Sequence, residues 1–104
     1  MEINLSGRRA LITGGSRGLG RAMAESFAGA GADVAVIARD TEALEDTRVV
    51  LHEARSSGKY LAISADVSDV NEITRAHEEV TAFFGPVDIS VSYTHLTLPT
   101  TPYV

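Results

Sequence analysis

The chain of 104 residues contains no cysteine, which excludes disulfides, thiolate metal sites and thiol catalysis. It carries a single lysine, Lys59, and no cluster of basic residues. With a formal net charge of -5, this argues against nucleic acid and against an anionic membrane surface as partners. Arg8 and Arg9 adjoin, but two charges ahead of a strand are an ordinary solvated feature. Long apolar runs are missing too: the longest, Val34 to Ala38, is far too short to span a bilayer. Met1-Glu2-Ile3-Asn4 has neither the basic segment nor the apolar run of a signal peptide, so a cytoplasmic protein is expected. The histidines show no ligand spacing. His52 and His77 fall on polar faces of predicted helices and His95 stands apart, so no metal site is expected.

What is present suits a globular core, with 44% hydrophobic residues. At this length it is at most one small domain, which buries a smaller share of its surface than a full-length α/β enzyme. The most informative segment is Thr13-Gly14-Gly15-Ser16-Arg17-Gly18-Leu19-Gly20. It follows an apolar strand pattern, Arg9-Ala10-Leu11-Ile12, and leads into a helical one. Strand, glycine-rich turn and helix in that order hold a dinucleotide pyrophosphate. Gly14 sits where the chain must leave the strand tightly, a side chain at Gly18 would stand between backbone and phosphates, and Gly20 lets the helix press on the sheet. The first amides of that helix lack intrahelical partners and carry its positive dipole end. Thr13, Ser16 and Arg17 add side-chain donors. A plain Gly/Ser surface turn is the alternative.

The hydrophobic period alternates along the rest of the chain. Leu19, Ala22, Met23, Phe27 and Ala30 share a helical face, and Gly29-Ala30-Gly31 ends that helix. Asp33 to Ala38 reads as a second strand, nearly all apolar as if covered on both faces. Asp40 or Thr41 caps a second helix with Leu44, Thr47, Leu51 and Ala54 inward, stopped by Ser56-Ser57-Gly58. Tyr60 to Ser64 is a third strand. Asp69 and Glu72 form a capping-box pattern opening a third helix, with Ile73, Ala76, Val80 and Phe83 inward. Gly85-Pro86 stops it, and Val87-Asp88-Ile89 opens a fourth strand. Such alternation predicts an α/β fold of Rossmann type: a doubly wound parallel sheet in the order 3-2-1-4, truncated after the fourth strand. The switch point between strands one and four then lies beside the glycine turn.

With Thr13, Gly14, Gly18 and Gly20 in register, and with Asp66-Val67 and Gly85-Pro86-Val87-Asp88-Ile89 at their places, residues 5 to about 89 resemble the short-chain dehydrogenase/reductase family. The resemblance implies a dinucleotide held by Thr13, Gly14, Ser16, Arg17, Gly18, Leu19, Gly20, Arg39, Asp66 and Val67, with Asp66 on the adenine amino group. A helix-capping aspartate is the alternative for Asp66. An NAD enzyme places an acidic residue at the end of the second strand. Here that position is Ala38, followed by Arg39, whose guanidinium suits a 2′-phosphate. NADP(H) is therefore expected over NAD(H), with Arg17 as a second contact. Asp40 weakens this, since it can pair with Arg39 or approach the ribose, and Arg39 as a solvated loop charge is the alternative.

The resemblance further implies a parent enzyme that interconverts an alcohol and a carbonyl on a small-molecule substrate, as a homo-oligomer. Its catalytic Ser and Tyr-x-x-x-Lys are absent here: no tyrosine has a lysine four residues later. Ser92 and Tyr93 do not replace them, because adjacent residues on an extended segment point to opposite faces and no base or cation accompanies them. No catalytic residue is assigned, and the chain itself is expected to be inactive. A non-catalytic dinucleotide-sensing or regulatory protein of the same fold is the alternative.

Residues 1–89 are read as the N-terminal part of a dinucleotide-binding domain and 90–104 as a non-native tail. Val91 through Thr100 is similar to a translated transposase adapter, GTC TCT TAT ACA CAT CTG ACG CTG CCG ACG. An unpaired strand edge with uncovered apolar residues would then make the chain unstable and poorly soluble. Source DNA is expected to continue in frame past codon 89 without the adapter string; genomic DNA encoding this tail would contradict that origin.

Overall fold

The structure, a computed structural model, describes residues 4–14, 18–66 and 68–92, and of Leu19 and Ser92 the backbone only. Strand and helix alternate as the periodicity requires: β1 (Arg9–Thr13), α1 (Gly18–Gly29), β2 (Asp33–Ala38), α2 (Thr41–Ala54), β3 (Tyr60–Ser64), α3 (Val70–Phe84) and β4 (Ile89–Ser92). All neighbouring strands are parallel, in the order β3-β2-β1-β4. This is the 3-2-1-4 order of the Rossmann type. β1 pairs with β2 along its whole length and with β4 from Ala10 onward.

Successive residues of a strand point to opposite faces, and here both faces are covered. Ile12, Val34, Val36 and Val91 meet Ala24 and Ala28 of α1 and Leu44 and Leu51 of α2 on one side. Leu11, Ala35, Ile37 and Ile63 meet Ala76 and Val80 of α3 on the other. The unbroken apolar run of β2 is the sequence consequence of that double burial.

Several faces differ in detail from the periodicity reading. In α1 the row nearest the sheet is Gly20, Ala24 and Ala28, all buried, while Met23 and Phe27 flank it and Ala22 is exposed. Small residues four apart let the helix approach the strands closely and leave the larger ones at the sides. Ala54 is exposed near the end of α2, whose buried residues are Leu44, Thr47 and Leu51. In α3 the row Ala76, Val80 advances to Phe84, which joins the core, and Phe83 is 46% exposed. His52 is half-buried rather than on a polar face, and its ring meets Tyr60 edge-on with centroids 4.7 Å apart.

β4 begins at Ile89 rather than Val87. Asp88 opens the ladder instead: its N–H donates to the Arg9 carbonyl and its carboxylate accepts from the Arg9 N–H, both at 2.9 Å. Beyond Ile89, Ser90-Val91-Ser92 completes the strand beside β1, and Val91 is 1% exposed. An alternating polar, apolar, polar triplet satisfies this strand position whatever its origin.

Of the two alternatives for the α2 cap, Asp40 holds the position, its carboxylate accepting from the Ala43 N–H at 3.1 Å. The other end of α2 is fixed by Arg55. Its guanidinium donates to the Ala28 carbonyl at 3.1 Å, the Ala32 carbonyl at 2.8 Å and the Asp33 carboxylate at 3.3 Å. Its own carbonyl accepts from the Tyr60 hydroxyl at 2.7 Å. One forked cation thereby ties the end of α1 to the start of β2, while the backbone carbonyl of the same residue holds the start of β3. Arg55→Ala is expected to lower the free energy of unfolding by about 2 kcal/mol, the scale of lost charge-assisted hydrogen bonds. Arg55→Lys should recover only a minor part, since one ammonium cannot reach the same acceptors. Urea unfolding measures both; an Arg55→Ala chain of unchanged stability would contradict this role.

Candidate functional site

Parallel pairing delivers the carboxyl ends of all four strands to one edge: Thr13-Gly14, Ala38-Arg39, Ser64 with the following Ala65-Asp66, and Ser92. β1 lies between β2 and β4, so the order of strands reverses around it. The crevice outside such a reversal is where open α/β sheets bind ligands.

Gly14 has φ 76°, in the left-handed region. Its N–H donates to the Ile37 carbonyl at 2.7 Å, extending the β1–β2 ladder one residue past the strand before the chain turns away. Gly18 opens α1 with φ 56°, and a Cβ built on it meets no atom of the described residues within 4 Å. Absence of a side chain there suits a backbone that a ligand approaches closely. No acidic side chain stands in that turn, so the partnerless amides and positive dipole end of α1 are not neutralised by its own residues. Gly20 is buried. Ser16, Arg17, Val67 and the side chain of Leu19 lie outside the described residues.

Thr13, 9% exposed at the end of β1, donates its hydroxyl to the Val91 carbonyl at 3.4 Å and so links β1 to β4.

The far half of the edge is a polar cleft of about 240 Å³ lined by Arg39, Ser64, Ala65, Asp66 and Glu72. Arg39 is exposed at the exit of β2. Its carbonyl accepts from the Ser64 hydroxyl at 3.1 Å, while the Ala65 N–H donates to the Ala38 carbonyl at 2.9 Å. The end of β3 therefore fixes the backbone that carries the guanidinium. Asp40, a candidate competitor for Arg39, has its carboxylate engaged in the α2 cap.

Asp66 does not cap α3; Asp69 does, accepting from the N–H groups of Asn71 at 2.9 Å and Glu72 at 3.2 Å. The Asp66 carboxylate Oδ1 accepts from the Ser68 N–H at 2.9 Å and hydroxyl at 2.6 Å. Its hydrogen bonds among the described residues all fall on Oδ1, which leaves Oδ2 to a further donor. The Ser68 hydroxyl, then its amide, and the charge of Arg39 hold this carboxyl below the usual aspartate range. It is thus a standing anion at neutral pH, able to receive an N–H donor.

Sequence reading missed Ser64, Ser68 and, as a member of this cleft, Glu72. The first two give no pattern signal, because a serine after a strand or an aspartate is an ordinary loop residue. Glu72 was visible only as half of a capping box. Tyr60, next to the single lysine, is no catalytic substitute: it begins β3 at the opposite edge, donates its hydroxyl to Arg55, and has its phenol pushed up chiefly by burial. Among the described residues no group of His, Asp and Glu is placed to hold a metal ion, and no helix is long and apolar enough to cross a membrane.

A glycine-turned first strand, an open helix N-terminus and a polar cleft at the switch point define the class as a Rossmann-type dinucleotide fold. The sequence model of the short chain dehydrogenase family matches residues 8–94. The chain belongs to that family, whose members are oxidoreductases that bind NAD(P).

It is 40% identical over 89 residues to a short chain dehydrogenase/reductase of Macrophomina phaseolina, covering 86% of this chain and 50% of that protein. It is 43% identical over 96 residues to a short chain dehydrogenase of Monascus ruber, covering 88% and 32%. Among solved structures it superposes on L-sorbose reductase from Gluconobacter frateurii, complexed with NADPH and L-sorbose, with a TM-score of 0.85 and 33% identity, covering 97% and 38%. The chain therefore spans half the length of the first relative and about a third of the others.

The hydrogen bonds to Asp66 generate a pH prediction. A carboxyl whose folded pKa lies below its unfolded value stabilises the fold above the unfolded pKa, and that contribution is lost as the pH falls through the folded pKa. Ser68→Ala is expected to move the Asp66 midpoint up toward the ordinary aspartate value, as followed by carboxyl-carbon NMR. An unchanged midpoint would contradict the assignment of Ser68 as the principal cause.

Proposed function

We propose that this chain is the cofactor-binding portion of an NADP(H)-dependent oxidoreductase that interconverts an alcohol and a carbonyl on a small-molecule substrate. The observation that carries the cofactor choice is Arg39. It follows the exit of β2, where an NAD enzyme uses a carboxylate for the ribose hydroxyls, and Ser64 holds its backbone there. A guanidinium at that point rewards a 2′-phosphate with charge-assisted hydrogen bonds and offers nothing equivalent to a free hydroxyl. The NADPH bound to the Gluconobacter frateurii reductase supports the same choice.

The residues present fit such a ligand. The side-chain-free Gly18 and the amides of the first α1 turn suit the pyrophosphate, with Ser16, Arg17 and Leu19 assigned beside them. Arg39 suits the 2′-phosphate, and the Asp66 carboxylate, next to Val67, suits the adenine amino group. When bound, the nicotinamide supplies a hydride donor or acceptor. The residues of this chain bind and orient; none in 1–104 forms the Tyr-x-x-x-Lys pair that would move the proton. The binding unit is assigned to residues 1–89 and no turnover is assigned to the chain alone. A homo-oligomeric full-length parent completes the reading.

Arg39→Ala is expected to lower the ratio of NAD+ to NADP+ dissociation constants by roughly ten- to a hundredfold, the worth of one charge-assisted hydrogen bond. Calorimetric titration of both cofactors into parent and variant measures it. An unchanged ratio would mean that Arg39 does not choose the cofactor.

A further inference from the structure

We propose that Glu72 is the positioning residue for Asp66 and so sets the purine-base selectivity of the cleft. This rests on the functional reading given above. The spacing of Asp69 and Glu72 is that of a capping box, in which the glutamate returns to the N–H of the capping residue itself. The structure departs from that pattern. The Asp69 N–H donates instead to the Asp66 carbonyl at 3.0 Å, and the Glu72 carboxylate Oε1 accepts from the Asp66 N–H at 2.9 Å.

Asp66 is therefore gripped through both backbone groups from the first turn of α3, while its Oδ1 is held by Ser68. Glu72 is half-buried, and the bond from the Asp66 N–H holds its carboxylate against the loop. Upstream, the Ala65 N–H to Ala38 bond anchors the same segment to β2. Asp66 leaves β3 with one degree of freedom after another removed, and its remaining carboxylate oxygen is presented at a constant place in the cleft. Removing the Glu72 acceptor frees the Asp66 N–H and the segment between the sheet and α3. Selectivity that depends on where that carboxylate stands is then lost, while the phosphate contacts of α1, on the other side of β2, remain.

The cleft adds a reason why the ligand is an adenine nucleotide rather than any purine. Among the described residues two carboxylates, Asp66 and Glu72, line it together with the guanidinium of Arg39. A base that offers an amino group to Asp66 is favoured, and one that offers a carbonyl there meets an anion. Hypoxanthine differs from adenine by that replacement and by the proton that N1 then carries.

The test is calorimetric titration of the full 104-residue chain with NADP+ and with its hypoxanthine analogue. The unsubstituted chain is expected to prefer NADP+ by roughly tenfold or more, the scale of a hydrogen bond to a charged acceptor. Glu72→Met, which keeps length and helix propensity but cannot accept, should bring the ratio close to one with a smaller change in affinity for the analogue. Glu72→Gln, which keeps an acceptor oxygen, should retain the preference. In an Asp66→Ala background Glu72→Met should produce no further change in the ratio, since it acts only through Asp66. Retention of the preference in Glu72→Met overturns the proposal, as does a parallel loss of both ligands or loss of the preference in Glu72→Gln. Binding of neither dinucleotide by the unsubstituted chain would instead overturn the functional reading itself, and this inference with it.

Discussion

The structure hangs on the backbone of one residue at the end of the central strand. Gly14 makes one last ladder bond to Ile37 at 2.7 Å and at φ 76° turns the chain out of the sheet. A side chain in that conformation is strained, and without the turn α1 would not begin beside the carboxyl edge. Gly18 repeats the left-handed conformation where the helix starts. Between them the two glycines put partnerless helix amides at the point where β1 parts β2 from β4. The candidate site is thus a consequence of how the first strand ends, and only secondarily of which side chains line it.

Those side chains divide the edge into two regimes. The α1 side offers dipoles and backbone, which suit a phosphate of any attachment. The β2–β3 side offers fixed charges of both signs, Arg39 against Asp66 and Glu72, and charges discriminate between ligands where dipoles do not. Neighbours hold the backbone that carries them, Ser64 at the Arg39 carbonyl and Glu72 at the Asp66 N–H, and Ser68 holds the Asp66 carboxylate itself. Membership of the short chain dehydrogenase family is in keeping with this division of labour, since a shared cradle can serve cofactors that differ by one phosphate.

Elements whose signal is local were readable in advance. The glycine turn, the doubly buried β2, the Asp69 cap and the 3-2-1-4 order all rest on residues close together in sequence or on short connections. What escaped depends on neighbours distant in the chain. The bond from the Thr13 hydroxyl to the Val91 carbonyl joins residues 78 positions apart, which no local pattern announces. Phe83 and Phe84 cannot be ranked from period alone, because one residue of helical phase decides which meets the sheet. Glu72 matches a familiar local pattern and serves another partner, a choice set by how β3 delivers Asp66 to α3.

The central claim is that both halves of this edge receive a single adenine nucleotide. Amide NMR of the 104-residue chain titrated with adenosine 2′,5′-bisphosphate tests it most directly. The account predicts that the Gly18, Gly20, Arg39 and Asp66 amides shift together along one saturation curve. Shifts confined to one side of β2, or none up to the solubility of the ligand, would contradict it.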